Sequence, residues 1–325
     1  MHQTPLVSII IPVRSVNSYL KECLSQIGKL TYPTTEVFVF CDQKNGMPKM
    51  NRVQYIQTGP IGPAQKRDLA IKYAHGQIFA FIDDDAYPSS DWLTSAVAHF
   101  TNMQIAAVGG PGITPPKVDW TEAASGWVSA SPIGAGPYTY RFLPGKQQYV
   151  EDYPSMNLLV RASEFSAIGG FDSHYYPGED TKLCLDLIHR GKKILYEPKA
   201  IVYHHRRPLW RAHLKQNGNF GIHRGFFARV LPKTSAKLIY FLPTLMVLNV
   251  ATLLTSLALF PSLSLLIVLP LLFYAIALLA NAVWIGLSSK SLLQAIISIA
   301  SVFVTHLWYG LRFVQGYLFT NHLAQ

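Results

Sequence analysis

Asp83, Asp84 and Asp85 stand in a row after the apolar run Ile78-Phe79-Ala80-Phe81-Ile82. Side chains alternate along an extended chain, so Asp83 and Asp85 are expected on one side and Asp84 on the other. Adjacent carboxylates repel wherever water is partly excluded. A hard divalent cation relieves that repulsion, and Mg²⁺ favours one or two carboxylates together with oxygens of a bound phosphate. The Asp-x-Asp spacing therefore points to a metal-bridged nucleoside diphosphate. A solvated turn, punctuated by Asp85-Ala86-Tyr87-Pro88, is the plainer alternative.

A second constellation follows about ninety residues later. Gly169-Gly170-Phe171-Asp172 reads as a turn, and Tyr175-Tyr176-Pro177-Gly178-Glu179-Asp180 leads into a helix expected over 181–190, with Gly191 as its stop. Asp180 at the start of that helix has two readings. As an N-cap it stabilises the helix by ~1 kcal/mol. As a general base it is kept ionised by the helix dipole and faces a sugar hydroxyl.

Alternating strands and helices must position these residues. Leu6–Val13, Val37–Cys41 and Val53–Gln57 read as strands, with Asp42 at the carboxyl end of the second. Ser18–Ile27 has helical spacing, Pro63 opens a helix expected to run to Ala74, and Ser89 or Ser90 caps another through His99. The alternation predicts an α/β domain with a mainly parallel sheet. Ligands of such sheets bind outside the carboxyl ends of the strands, where Asp42 and the triplet fall.

Charge divides the chain. Residues 1–197 hold 17 Lys and Arg against 18 Asp and Glu, whereas residues 198–325 hold 11 Lys and Arg and no acid. So sharp a split argues against a single soluble domain. Three apolar runs, at about 238–260, 263–286 and 292–313, each match the ~20 residues that cross a bilayer. The basic block before the first run and Lys290 after the second are expected on the cytoplasmic side, leaving the Thr320–Gln325 tail outside. A re-entrant second segment would reverse the tail. Met1–Pro5 runs straight into the first strand, so no leader is expected. Cys23, Cys41 and Cys184 have neither disulfide nor zinc spacing and read as buried thiols.

The order of Ile9-Ile10-Ile11-Pro12, Asp42, Gly62-Pro63-Ala64-Gln65-Lys66-Arg67-Asp68, the triplet, Gly169-Gly170-Phe171-Asp172, Gly178-Glu179-Asp180 and Tyr196-Glu197-Pro198 with His204 resembles the family 2 glycosyltransferases. The resemblance covers roughly residues 5–206. It implies a GT-A fold and an inverting transfer from a nucleotide sugar. The apolar tail, with His306-Leu307-Trp308-Tyr309-Gly310, is similar to that of polysaccharide-building, succinoglycan-type members. By position the resemblance assigns Pro12 and Val13 to the nucleoside pocket, Asp42 to the base and Arg67 to the nucleotide or its phosphates. It assigns Asp83 to the ribose, Asp84 to the nucleotide-sugar site, Asp85 to a Mg or Mn ion and Asp180 to the base of the reaction. His204 is a second candidate metal ligand, and Glu179, Arg206 and Arg224 are candidate contacts to acceptor or diphosphate. Two positions depart from the family pattern. Cys41-Asp42 replaces an acidic pair, and Asp68 replaces an Asn. The Gln-x-x-Arg-Trp signature of processive synthases is missing, which favours transfer of a single sugar.

The expected organisation is a GT-A domain over 1–205, a basic amphipathic interfacial linker over 206–237 and a membrane region over 238–325. The linker alternates cations with Leu209, Trp210, Leu214, Phe220, Phe226, Phe227 and Leu231, as an interfacial helix pair on anionic lipid would. Adjacent spans argue against nucleic acid as its partner. The expected partners are a nucleotide-sugar donor, a lipid-linked glycan or polyprenyl-type acceptor, and membrane lipids. The alternatives are transfer onto polyprenyl phosphate itself, or a catalytically silent membrane component of an assembly complex.

Overall fold

The computed structural model describes residues 4–48 and 50–323. Expectations for Met1–Gln3 and for the last two residues of the tail lie outside them. In chain order the elements of the first half are β1 (Val7–Val13), α1 (Ser18–Ile27), β2 (Thr35–Cys41), β3 (Val53–Gln57), α2 (Pro63–Asp68), α3 (Ala70–Tyr73), β4 (Ile78–Ile82), β5 (Ala86–Pro88), α4 (Trp92–Val97), β6 (Ile105–Gly109), β7 (Gly112–Ile113), α5 (Trp120–Ala130) and α6 (Pro132–Ala135). Then come β8 (Gln148–Val150), β9 (Asn157–Arg161), α7 (Ala162–Ala167), α8 (Glu179–His189), β10 (Lys193–Tyr196), β11 (Val202–His204), α9 (Arg211–Val230), α10 (Pro232–Ser235), α11 (Leu238–Leu259), α12 (Pro261–Ser289) and α13 (Leu292–Phe319).

The chain forms two compact units: residues 1–115 with 140–205, and residues 116–139 with 206–323. The first is built on an eight-stranded sheet in the order β3-β2-β1-β4-β9-β6-β10-β8, with a small sheet β5-β11-β7. The pairs β1–β2, β1–β4, β2–β3 and β6–β10 are parallel. β9 runs antiparallel between β4 and β6. Strands buried on both faces read as continuous apolar runs, and β1, with every residue buried, is such a run. Apolar clusters cover both faces, one around Ile9, Ile11, Val39 and Trp92, the other around Ile10, Phe81, Phe165 and Leu187. Cys23, Cys41 and Cys184 are buried and free.

Several local expectations are corrected. The helix expected over 63–74 breaks at Leu69, which separates α2 from α3. Asp91, rather than Ser89 or Ser90, precedes α4, which gives way to a 3₁₀ turn from Ala98. α8 starts at Glu179 with Gly178 as its N-cap, so Asp180 lies inside the first turn.

The second unit is helical. α11, α12 and α13 are each long and apolar enough to cross a membrane. Residues 116–139, expected within the amino-terminal domain, pack with these helices instead. Val128 of α5 is buried against Leu278 and Val302, and Trp127 meets Trp284 edge-on at 6.2 Å. Polar side chains of the apolar helices fasten the same segment. Asn281 Oδ1 accepts from Ile133 N at 3.1 Å, and Gln294 Nε2 donates to Trp120 O at 3.2 Å. The segment expected to lie on lipid folds largely into α9, which packs along α13. A Cβ on Gly225 would come within 2.1 Å of the Phe313 carbonyl, and one on Gly316 within 2.0 Å of the Ile222 carbonyl. Small residues at such a seam allow the helix backbones to approach closely.

Candidate active site

The triplet lies just past β4, in a turn closed by Ala86 N donating to Asp83 O at 3.1 Å. Asp83 and Asp85 meet His204 through the geometry of this turn rather than through strand alternation. One ligand atom from each lies within 4.8 Å of the others. His204 is delivered by β11, whose antiparallel register sets it opposite Ala86. His205 N donates to Asp85 O at 3.0 Å and locks the turn to that strand. His204 Nε2 stands 3.3 Å from Asp85 Oδ1. Asp84 points elsewhere and accepts from Asn17 Nδ2 at 2.6 Å. Burial first, then the neighbouring aspartates, pushes its carboxyl up to about 6, against the opposing pull of Asn17.

Arg67 joins this cluster to α8. The residue is 5% exposed, with Nη2 2.6 Å from Asp83 Oδ1 and Nη1 3.1 Å from Glu179 Oε1. The Phe171 ring lies 5.6 Å from Arg67 Cζ. Glu179 is 4% exposed. Its carboxyl is pushed up to about 7, first by burial and then by Asp180, while Arg67 pulls it down. Asp180 Oδ1 accepts from Thr181 N at 2.7 Å and Oδ2 from Ser155 N at 3.3 Å. These two bonds hold the Asp180 side chain in one orientation at the amino end of α8.

At the end of β1, Val13 O accepts from Lys66 Nζ at 2.6 Å. Lys66 also pairs with Asp42. Pro12 and Val13 are buried. Sequence reasoning passed over Lys66, although it adjoins Arg67 at the start of α2. It also passed over Asn17, the N-cap of α1, which has the residue type of a cap. Asp68 accepts from Phe171 N at 2.6 Å. Gly170 (φ +88°) leaves room for that carboxylate, which would lie 2.3 Å from a Cβ there. Arg206 and Arg224 belong to the helical unit. Arg206 N donates to Glu122 Oε1 at 3.0 Å, and Arg224 Nη1 donates to Ser235 Oγ at 3.1 Å.

A mostly parallel α/β sheet, with two carboxylates and an imidazole gathered past its fourth strand, has the architecture of the GT-A glycosyltransferases. Residues 8–163 match the family model described as Glycosyl transferase family 2. The chain carries a domain of that family, followed by three candidate membrane spans. Pre-mycofactocin glycosyltransferase of Mycobacterium tuberculosis (strain ATCC 25618 / H37Rv) is 31% identical over 160 residues, 49% of this chain and 33% of that protein. The match thus spans only a third of that relative's length. The dolichyl N-acetyl-alpha-D-glucosaminyl phosphate 3-beta-D-2,3-diacetamido-2,3-dideoxy-beta-D-glucuronosyltransferase of Methanococcus voltae is 23% identical, covering 69% of this chain and 74% of that one. Among solved structures, mannosyltransferase PcManGT from Pyrobaculum calidifontis, in complex with GDP-Man and Mn²⁺, has a TM-score of 0.64. That likeness covers 98% of this chain and 88% of that one at 18% identity, and is one of fold.

Proposed function

We propose that this protein is a membrane-anchored, metal-dependent inverting glycosyltransferase. It moves a sugar from a nucleotide-sugar donor to a lipid-linked or polysaccharide acceptor at the cytoplasmic face of the membrane. The observation that carries this reading is Arg67, which ties Asp83 of the metal cluster to Glu179, the neighbour of Asp180. Metal ligands and base thereby stand at one end of the sheet.

Two carboxylates and one imidazole within 4.8 Å form a donor set that suits Mn²⁺ or Mg²⁺. A cation held by Asp83, Asp85 and His204 would neutralise charge on the departing nucleoside diphosphate. Asp180 removes the proton from the acceptor hydroxyl as that oxygen bonds to the anomeric carbon and the bond to the diphosphate breaks. The two backbone N–H groups fix Asp180 in an orientation for this transfer. Glu179 orients Arg67 and is itself too enclosed to serve as the base. Pro12, Val13 and Asp42 border the nucleoside end, where Lys66 balances Asp42.

Three spans support a lipid-borne acceptor, as does the Methanococcus relative, whose name specifies a dolichyl-phosphate-linked sugar. The basic stretch before α11 supports a cytoplasmic orientation. Membranes containing the protein, incubated with a panel of labelled nucleotide sugars and extracted with organic solvent, test the reading. Label is expected in a lipid or polysaccharide product, lost in EDTA and restored by Mn²⁺ or Mg²⁺. Full transfer in chelator would overturn the metal assignment.

A further inference from the structure

Within the helical unit, α9, α11 and α13 converge on a group of hydrogen-bond donors. Gly221 admits the Tyr309 carbonyl to 2.6 Å from a would-be Cβ, and Gly310 admits the Pro243 carbonyl to 2.5 Å. Thr244 Oγ1 seals the second approach by donating to Gly310 O at 3.1 Å. Arg224 lies over the Tyr240 ring, 4.8 Å from its centroid, and reaches Ser235 Oγ with Nη1. Tyr138, beyond α6, stacks on Tyr240 at 5.7 Å with the rings 6° from parallel. The Tyr309 hydroxyl is within electrostatic reach of both Arg224 and Tyr138. It is closed off from water and has no hydrogen-bond partner among the described residues.

A buried phenol without an acceptor is costly, and an incoming oxygen anion would remove that cost. A guanidinium, two phenols, a serine hydroxyl and an aromatic face form a donor-rich set suited to phosphate. Lys233 and Lys237 flank the start of α11, and no carboxylate follows Glu197 in the sequence. The apolar helices that carry the cluster supply surface for an attached hydrocarbon chain.

We propose that this cluster holds the phosphate through which a lipid-linked acceptor sugar is joined to its isoprenoid chain, with Arg224 and Tyr309 donating to its oxygens and Tyr138 and Tyr240 walling the headgroup. The proposal rests on the lipid-linked acceptor reading above and names the residues that would grip that acceptor. The phosphate chemistry is shared with bulk phospholipid and with free phosphate, so the test separates the three sources. The full chain in detergent micelles is titrated with farnesyl phosphate, with phosphatidylglycerol or with inorganic phosphate. Nucleoside diphosphate binding with Mn²⁺ is measured on the same samples by Mn²⁺ paramagnetic resonance.

Farnesyl phosphate is expected to bind most tightly. Arg224→Ala should weaken it about tenfold or more, and Tyr309→Phe severalfold, with Arg224→Lys intermediate. Nucleotide binding should be unchanged in all three variants. Tyr309→Phe keeps the ring and its packing, so it reads the hydroxyl even where Arg224→Ala fails to fold. Farnesyl phosphate binding equal to wild type in folded Tyr309→Phe and Arg224→Lys would overturn the proposal. So would phosphatidylglycerol or inorganic phosphate binding as tightly as farnesyl phosphate with the same dependence on these residues. Failure of wild type to bind any nucleoside diphosphate would instead overturn the glycosyltransferase reading, leaving the lipid measurement to stand alone.

Discussion

Asp180 is the residue at which a capping role and the proposed base role can be told apart. Gly178 caps α8, while Asp180 accepts two backbone N–H groups from inside the first turn. An amide oxygen can accept the same bonds but cannot take a proton. Asp180→Asn should therefore melt close to wild type while losing ~10²–10⁴-fold in turnover, measured by product formation at saturating donor. Near-normal turnover would reduce Asp180 to a structural residue. Asp68 shows why a departure from a family pattern need not alter a site. Burial pushes its carboxyl up to about 7, so near neutral pH it is often protonated and amide-like, and it accepts from Phe171 N as an Asn would. Its folded pKa lies above its unfolded one, so the folded state holds the proton more tightly. Its stabilising contribution is complete below about pH 4 and is lost as pH rises toward 7. Asp68→Asn should flatten the fall in stability across that window, by at most ~1.4 kcal/mol per pH unit, as read from unfolding at pH 5 and pH 8. An unchanged slope would place the titration elsewhere. Asp83, Asp85 and Asp180 were legible as residues because adjacent acids at a strand end and a helix start demand explanation. Lys66 was not, because its pairing with Asp42 depends on the end of β2 and the start of α2 meeting in space.

Elements were legible where a single period decided them. β3 and α1 have the bounds their sequences predict, because each is a short apolar pattern closed by turn or cap residues. α5 was missed. Its helix mixes small and polar residues, and its buried face answers to α12 and α13, far along the chain. The basic segment was legible in its charge but not in its packing. Gly218, Gly221 and Gly225 recur at the spacing of one helix face, and that face meets α13 at distances too short for side chains. Gly225→Leu must therefore push α9 off α13. Overpacking of this kind costs at least ~1–3 kcal/mol, and a lower melting temperature in detergent is expected. A mutant as stable as wild type would mean that the two helices are not packed along this seam.

At the scale of the whole molecule, the change in charge composition near Glu197 does not coincide with a clean cut in the fold. Residues 116–139 precede that change yet share a unit with residues 206–323. A chain ending at residue 205 keeps α5 while losing the helices that cover Val128 and Trp127. It should be recovered mainly in aggregates, whereas the full chain extracted in detergent should elute as a single species on gel filtration. A soluble, nucleotide-binding fragment 1–205 would contradict this. Fusing reporters near Lys290 and after the carboxyl terminus tests the spans themselves, with the first expected in the cytoplasm and the second outside.

The placement of α5 also sets an order on synthesis. The ribosome releases α5 and α6 about 130 residues before α12 is made, an interval on the order of ten seconds at ~5–20 residues per second. Throughout that time Trp127, Val128 and Ile133 have no α12 or α13 against which to pack. Translation must therefore carry an unfinished apolar helix pair until the last spans arrive, and the amino-terminal half cannot mature by simple progression from its own start.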